Sequence, residues 1–257
     1  MSAKPRPGFP ARLDFSHPAA RAAKPSAPAK TAPAGLGLDS AAVRARMVRR
    51  LAEDGTVNAR VLSAFAAVER HGFVDTALVN QAYEDTSLPI GLQQTISKPS
   101  VVARMLTLLM QAPALAPLGS GQPAGRVLEI GTGCGYQAAL MARLFAEVVS
   151  IERLRGLHEK ARHNLRGQRL PGLHLVLGDG MLGYPDAAPF GGILSAAGGL
   201  EVPEAWIAQL ALGGRIVAPV AEGGAGQKLA VIDKTAQGIS RHVLEGVHFV
   251  PLKSGIA

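Results

Sequence analysis

Apolar residues recur at helical spacing in two stretches, Ser40 to Glu53 and Asn58 to Arg70. Val43, Met47, Val48 and Leu51 share a face of the first, and Val61, Leu62, Phe65 and Val68 share a face of the second. Asp54-Gly55 stops the first helix. The segment from about His71 to Thr95 reads as a loop, and a third helix is predicted from near Pro99, with Ser97 as its N-cap and proline in the first turn. Beyond Gly125 the texture changes to short β-branched runs that alternate with helical stretches. Strands are predicted at Arg126 to Ile130, Val148 to Glu152, Leu173 to Leu177, Gly192 to Ser195, Arg215 to Val220, Leu229 to Asp233 and Ser240 to Phe249. Helices are predicted at Ala138 to Phe145, His158 to Leu165 and Pro203 to Leu210, with a turn at Gly213-Gly214. This alternation is that of parallel βαβ units, so the expected fold is α/β: a Rossmann-like, doubly wound sheet of about seven strands behind an N-terminal helical cap. The expected division is a tail over 1–37 and one domain over 38–257, with the cap in 38–112 and the sheet in 125–257.

Composition changes this picture at one end only. The 257 residues are 47% hydrophobic, enough for a large core, and carry a formal charge of +8. Lys4, Arg6, Arg12, Arg21, Lys24 and Lys30 precede Gly35 and are opposed there only by Asp14, so the body is mildly basic. The 1–37 segment is rich in Pro and Ala and poor in large apolar residues, which predicts a disordered basic tail. Aromatic residues make up 4% and no dense Lys/Arg stripe runs through the body, so no specific nucleic-acid partner is expected. The most apolar stretch, Val101 to Leu118, is broken by Arg104, Pro113 and Pro117, and no membrane partner is expected. The first residues are basic with no apolar run behind them, unlike a secretory leader. Cys134 is the single cysteine, which excludes an internal disulfide and fits a reducing compartment, with the cytoplasm as the expected location. His158 and His163 stand five apart on a predicted helix and do not share a face as metal ligands do, so no metal is expected.

The chemistry is concentrated in Val127 to Tyr136, VLEIGTGCGY. Gly131, Gly133 and Gly135 alternate at a predicted strand-to-helix turn, where glycine permits positive φ and lets a ligand approach the backbone. The dinucleotide fingerprint requires a third glycine three residues after the second, and Tyr136 stands there. A pyrophosphate cradle is therefore disfavoured relative to an uncharged ribose and a methionine moiety over Gly131, Thr132, Gly133 and Gly135. Glu152 ends the second predicted strand, about 20 residues after the first glycine, where an acid hydrogen-bonds ribose hydroxyls. Asp179, within Gly178-Asp179-Gly180, ends the third and is placed to receive an adenine amino group, with Gly180 beside it. All these features lie at carboxyl ends of strands, where open α/β sheets bind ligands. The expected cofactor is S-adenosylmethionine, with S-adenosylhomocysteine as its product.

The polar, turn-rich segment Leu88 to Pro99, LPIGLQQTISKP, lies where an acceptor would meet that cofactor. Together with AYEDTSLPIG, VLEIGTGCGYQAAL, SIERLRGLHEKAR, GDG and VHFVPL, it resembles the protein-L-isoaspartate (D-aspartate) O-methyltransferase family, over nearly everything from Ser40 onward. The resemblance implies the class I S-adenosylmethionine-dependent methyltransferase fold and a repair reaction. In that reaction the free carboxylate of an L-isoaspartyl residue in a damaged protein is methylated, and the ester closes spontaneously to a succinimide. It also implies Ser97 as the active-site serine, Thr95 and Ile96 as substrate-binding neighbours, isoaspartyl proteins and peptides as partners, and a monomer. Cys134 stands where the family has a small residue and reads as loop packing. Several positions depart from the family's pattern: Gln93 replaces a glycine that would sit at positive φ, Gly191 an aspartate, Gly198-Gly199 a proline-containing stretch, Glu69 a proline and His248 an arginine. The alternatives are methylation of another acceptor such as RNA, or a non-catalytic scaffold on the same fold.

Overall fold

A computed structural model describes residues 41–116, 124–223 and 226–257. The basic 1–37 segment lies outside the described residues. Helix α1 (Ala41–Ala52) and helix α2 (Ala59–Ala67) form where the periodicity places them, and the Asn58 side chain caps α2 by accepting from Arg60 N at 2.8 Å. Short 3-10 turns follow at Arg70–Phe73 and Thr76–Gln81.

The span expected as a loop contains a hairpin, strands β1 (Leu88–Gly91) and β2 (Gln94–Ile96), paired antiparallel. Leu88, Ile90 and Ile96 are buried while Pro89, Gly91 and Thr95 are exposed, so period-two alternation is present beneath residues that read as breakers. Leu92 and Gln93 form the two-residue turn at φ 51° and 58°, both left-handed, after a bulge at Gly91. Paired strands with right-handed twist favour such a mirror-image turn, and glycine or asparagine is its usual occupant. Leu92 is 57% exposed at the tip.

Helix α3 (Pro99–Met110) starts where expected, but Ser97 is not its N-cap. Lys98 holds that position without a side-chain cap, and the first turn is satisfied instead by Asp85, which accepts from Ser100 N at 2.8 Å and Ser100 Oγ at 2.7 Å. A carboxylate at a helix N-terminus meets both free amides and the dipole. It also releases the serine for other work.

Strands β3 (Ala124–Ile130), β4 (Phe145–Glu152), β5 (Leu173–Leu177), β6 (Phe190–Ser195), β7 (Leu210–Ala221), β8 (Gln227–Thr235) and β9 (Gly238–Val247) form one sheet in the order β5-β4-β3-β6-β7-β8-β9. The first five in that order are parallel, and β8 and β9 are antiparallel additions at one edge. Helices α4 (Tyr136–Leu144), α5 (Arg155–Leu165) and α6 (Glu204–Gln209) complete the crossovers. Alternate side chains of β3 enter opposite faces: Val127 packs with the core of α1 to α4, while Leu128 and Ile130 pack with Phe190, Ile193 and Trp206. Sheets covered on both faces need apolar residues at nearly every position, which is why these strands read as continuous runs. Gly213-Gly214 does not separate two elements; it lies inside β7, and Gly213 at φ 77° marks a register break against β6. Gly191, where the family has an aspartate, leaves the space that Leu115 fills: a Cβ there would stand 2.7 Å from Leu115 Cδ2.

Chain order reverses about β3, with β4 on one side and β6 on the other, so the crevice beyond the carboxyl end of β3 is the topological switch point. The β1–β2 hairpin overhangs it. Because Gln93 carries a side chain at φ 58°, Gln93→Gly is expected to stabilise the protein by about 0.5–1 kcal/mol, read as a higher urea midpoint at unchanged m value.

Candidate functional site

A cavity of about 260 Å³ occupies the switch point. Its wall is made by the hairpin from Ile90 to Ser97, the loop Gly131 to Cys134, the end of β4 from Ile151 to Leu154, Gly180, Ala196-Ala197 and the segment Val250 to Lys253. Thr95, Ile96, Ser97, Gly131, Thr132, Gly133, Glu152 and Gly180 therefore come together from four separate parts of the sequence. Gly135 and Asp179 do not line the cavity.

The glycine loop is held by both backbone and side-chain bonds. Gly131, Gly133 and Gly135 have φ 91°, 57° and 92°, and Gly131 N and Thr132 N both donate to Ile151 O, at 2.8 and 3.2 Å. Gly133 N donates to Glu152 Oε2 and Leu154 N to Glu152 Oε1, each at 2.9 Å. Glu152 is thus a buried brace between loop and strand, and each oxygen retains a lone pair for a ribose hydroxyl. A Cβ on Gly133 would stand 3.2 Å from Ile90 Cδ1, inside the gap between loop and hairpin. Gly135 has a packing role: a Cβ would stand 2.9 Å from Leu165 Cδ1, so its absence lets α4 start against α5.

Behind the loop, Thr132 Oγ1 donates to Ser150 Oγ at 2.6 Å, and the Ser150 hydroxyl donates to Glu129 Oε2. Glu129 has no exposed surface, and burial raises its carboxyl to about 8, so it is mainly neutral at pH 7. Burial likewise raises the Cys134 thiol to about 11, which keeps it a neutral packing group rather than a nucleophile.

Asp179 is bound within the protein. Its Oδ1 accepts from Met181 N at 2.9 Å and its Oδ2 from Gly255 N at 2.6 Å. The 255–257 segment is held beside it by Arg153 Nε donating to Gly255 O and by Ala257 N donating to Arg153 O, at 3.0 and 2.9 Å.

Ser97 is half-buried, and among the described residues its hydroxyl makes no hydrogen bond. It is the one residue shared by the walls of the first cavity and of a second, broader cleft of about 1060 Å³. That cleft runs between α1, α3 and β9 and presents Arg50, Lys98, Arg104 and His248 beside Asp54 and Glu245. Arg104 and Glu245 pair across it at 3.0 Å.

Sequence reasoning missed the partners of four groups that shape the site, although it placed Tyr83 to Asp85 beside the pocket. Asp85 and Gly255 act on partners 15 and 76 residues away, and nothing local announces them. Glu129 carries no sign in the sequence that its side chain faces the core. Arg70, at the end of an amphipathic helix, reads as a solvated charge; it is fully buried, and its Nη2 donates to Ser97 O at 2.8 Å. The buried neighbours Phe73 and Tyr83 are the only local hint.

A mostly parallel seven-stranded sheet whose first strand feeds a triple-glycine loop, with an acid at the end of the next strand, defines a class I S-adenosylmethionine-dependent methyltransferase. The family model of protein-L-isoaspartate(D-aspartate) O-methyltransferase (PCMT) matches residues 42–257, and the chain belongs to that family. A protein-L-isoaspartate O-methyltransferase of Methylibium petroleiphilum is 54% identical, covering 98% of this chain and 97% of its own. One of Leptothrix cholodnii is 56% identical over 86% of this chain and 77% of its own. Among solved structures, a protein-L-isoaspartate O-methyltransferase superposes with TM-score 0.72 at 28% identity, covering 82% of this chain and 66% of that one. A Plasmodium falciparum beta-aspartate methyltransferase in complex with S-adenosyl-L-homocysteine has the same fold, with TM-score 0.69 at 23% identity over 81% and 97% of the two chains. Among the described residues no helix is long and apolar enough to cross a membrane.

The raised Glu129 carboxyl sets a pH dependence of stability. Folding favours its protonated form, so its contribution is complete below 4.5 and is lost as pH rises toward about 8. Relative to the permanently neutral variant Glu129→Gln, the wild-type protein is expected to lose up to about 1.4 kcal/mol of stability per pH unit across that window. Thermal melts of both proteins at pH 5, 6, 7 and 8 check it; parallel curves would show that burial does not control this acid.

Proposed function

We propose that the protein repairs damaged polypeptides by transferring a methyl group from S-adenosylmethionine to the free carboxylate of L-isoaspartyl residues, with Ser97 receiving that carboxylate. The observation that carries the site assignment is the placement of Ser97 at the meeting of the two cavities, with its hydroxyl unengaged. When bound, the cofactor supplies an electrophilic sulfonium methyl. The residues of this chain have the tasks of holding and orienting. Glu152 takes the ribose hydroxyls while remaining braced by two amides, and the Gly131 to Gly133 backbone, free of bulky side chains at both glycines, lies along the methionine part. Asp179 takes the adenine amino group, in competition with the Gly255 amide that it now accepts, and Gly180 forms the floor beside it.

The acceptor enters by the larger cleft, whose lining includes the basic residues Arg50, Lys98, Arg104 and His248. A carboxylate with an ordinary pKa near 4 is already ionised at neutral pH, so the reaction calls for no general base. What it calls for is orientation, with carboxylate oxygen and methyl about 3 Å apart, and a donor to replace lost water. The Ser97 hydroxyl supplies that donor. Thr95 and Ile96, on the strand that leads to it, set the width of the passage.

Purified protein is expected to transfer labelled methyl to an isoaspartyl peptide and not to its aspartyl twin. Equal transfer to both, or transfer to RNA alone, would overturn the reading. Ser97→Ala removes one hydrogen bond to a charged group, about 1.5–3 kcal/mol, so kcat/KM for that peptide is expected to fall about tenfold to a hundredfold. The S-adenosylhomocysteine dissociation constant, measured by calorimetry, is expected to stay within about twofold.

A further inference from the structure

Arg70 has 0% of its surface exposed, and no carboxylate pairs with it among the described residues. Its Nη2 donates to Ser97 O at 2.8 Å and more distantly to Thr86 O at 3.4 Å. Its Cζ stands 4.8 Å from the centroid of the Tyr136 ring, which Phe65 and Phe73 grip edge-on and which itself lines the cofactor cavity. Nε and Nη1 make no hydrogen bond of normal geometry among the described residues, and the Tyr136 hydroxyl, which favours the charge, likewise makes none. Asp85 on the adjoining loop favours the charge from a distance but makes no ion pair with it, and each of its oxygens accepts from Ser100.

A guanidinium buried with two donors unmet and no counter-ion is costly to the fold, and an apolar chain of similar volume would often serve stability better. The stacking on Tyr136 and the bond to Ser97 offset only part of that. The charge therefore has a use that the resting structure does not display. It is fully buried and bonded to the backbone carbonyl of the same residue whose hydroxyl meets the acceptor.

We infer that Arg70 is a positioning residue for the acceptor. It clamps the Ser97 carbonyl so that the hydroxyl keeps its direction, and it places an unneutralised positive charge behind the point where an anionic carboxylate arrives. The inference rests on the reading of Ser97 as the acceptor's partner. Arg70 touches neither substrate and acts through Ser97. A buried cation without a counter-ion and a substrate that must leave water as an anion are complementary, each lowering the cost of the other's burial.

The test uses the full chain with S-adenosylmethionine and an isoaspartyl hexapeptide, and compares Arg70→Met, Arg70→Lys and Ser97→Ala. Arg70→Met is expected to keep or raise Tm, to hold the S-adenosylhomocysteine dissociation constant within about twofold, and to raise the peptide KM about tenfold or more. Arg70→Lys keeps the charge without the fork and is expected to recover most of that loss, to within about fivefold of wild type. Combined with Ser97→Ala, Arg70→Met is expected to add little, because both act on one contact. An unchanged peptide KM in Arg70→Met, beside an impaired Ser97→Ala, overturns the assignment of Arg70 alone. Wild-type kinetics in Ser97→Ala overturn the Ser97 reading and this inference with it. A lowered Tm with cofactor and peptide weakened alike, not improved in Arg70→Lys, makes Arg70 a core residue and overturns the inference. Should Arg70→Met fail to fold, Arg70→Lys carries the test by its KM at unchanged Tm, and failure of both to fold is again the overturning result.

Discussion

The carboxylate of Glu152, buried at the end of β4, accepts from Gly133 N through one oxygen and from Leu154 N through the other. A loop in which three of five residues are left-handed glycines has few side chains with which to pack, only Thr132 and Cys134, so its position depends largely on where its amides go. Two of them reach the carbonyl of Ile151 and one reaches Glu152, all on the neighbouring strand. The loop is thereby registered to the sheet edge. Gly135 then starts α4 tightly against Leu165, and the first residue of α4, Tyr136, presents its ring to Arg70. Arg70 in turn holds Ser97. A continuous series of contacts thus runs from the acid that braces the cofactor loop to the serine assigned to the acceptor.

Burial treats the ionisable groups along that series in opposite ways. Glu129 and Cys134 are driven toward their neutral forms, so neither adds negative charge next to Glu152. Arg70 is pushed by the same burial toward losing its proton, but a guanidinium keeps its charge over the working pH range. The interior behind the site is consequently short of negative charge and carries one fixed positive charge. For a transfer in which the acceptor is an anion, that imbalance favours the acceptor.

The sheet was legible because parallel strands covered on both faces are apolar at nearly every position, and short runs such as Gly192 to Ser195, within β6, alternate with helical stretches. The glycine spacing and the acid in register with it were legible for a similar reason, since backbone geometry dictates both. The hairpin was not, because Pro89 and Gly91 have the look of a loop even though Leu88 and Ile90, which alternate with them, are buried. Ser97 resembled a helix cap until Asp85 was found doing that work from 15 residues away. Arg70 was invisible for a deeper reason: periodicity ranks arginine as polar, and only the packed tertiary structure places Phe73, Tyr136 and the Ser97 carbonyl around it. Side chains whose partners are remote in sequence escape any reading of local pattern.

The departures from the family's usual residues follow the same logic of partners. At Gly198 a Cβ would fall 2.3 Å from Gln227 Nε2, so the Gln227 amide occupies the space that a side chain at 198 would take. Gln227 uses the space to accept from Phe249 N at 2.8 Å and to donate to Phe249 O at 3.2 Å. Gly198 itself donates to Val250 O and accepts from Leu252 N, each at 2.8 Å. These bonds lay residues 249–252 beside the carboxyl end of β6, where Val250, Pro251 and Leu252 close one wall of the cofactor cavity. Gly191 works in the same way for Leu115 on the far side of the sheet end. Each unusual glycine thus admits a neighbouring group into the volume its side chain would have taken. The cavity wall is rebuilt from different atoms, and the residues assigned to cofactor and acceptor keep their places.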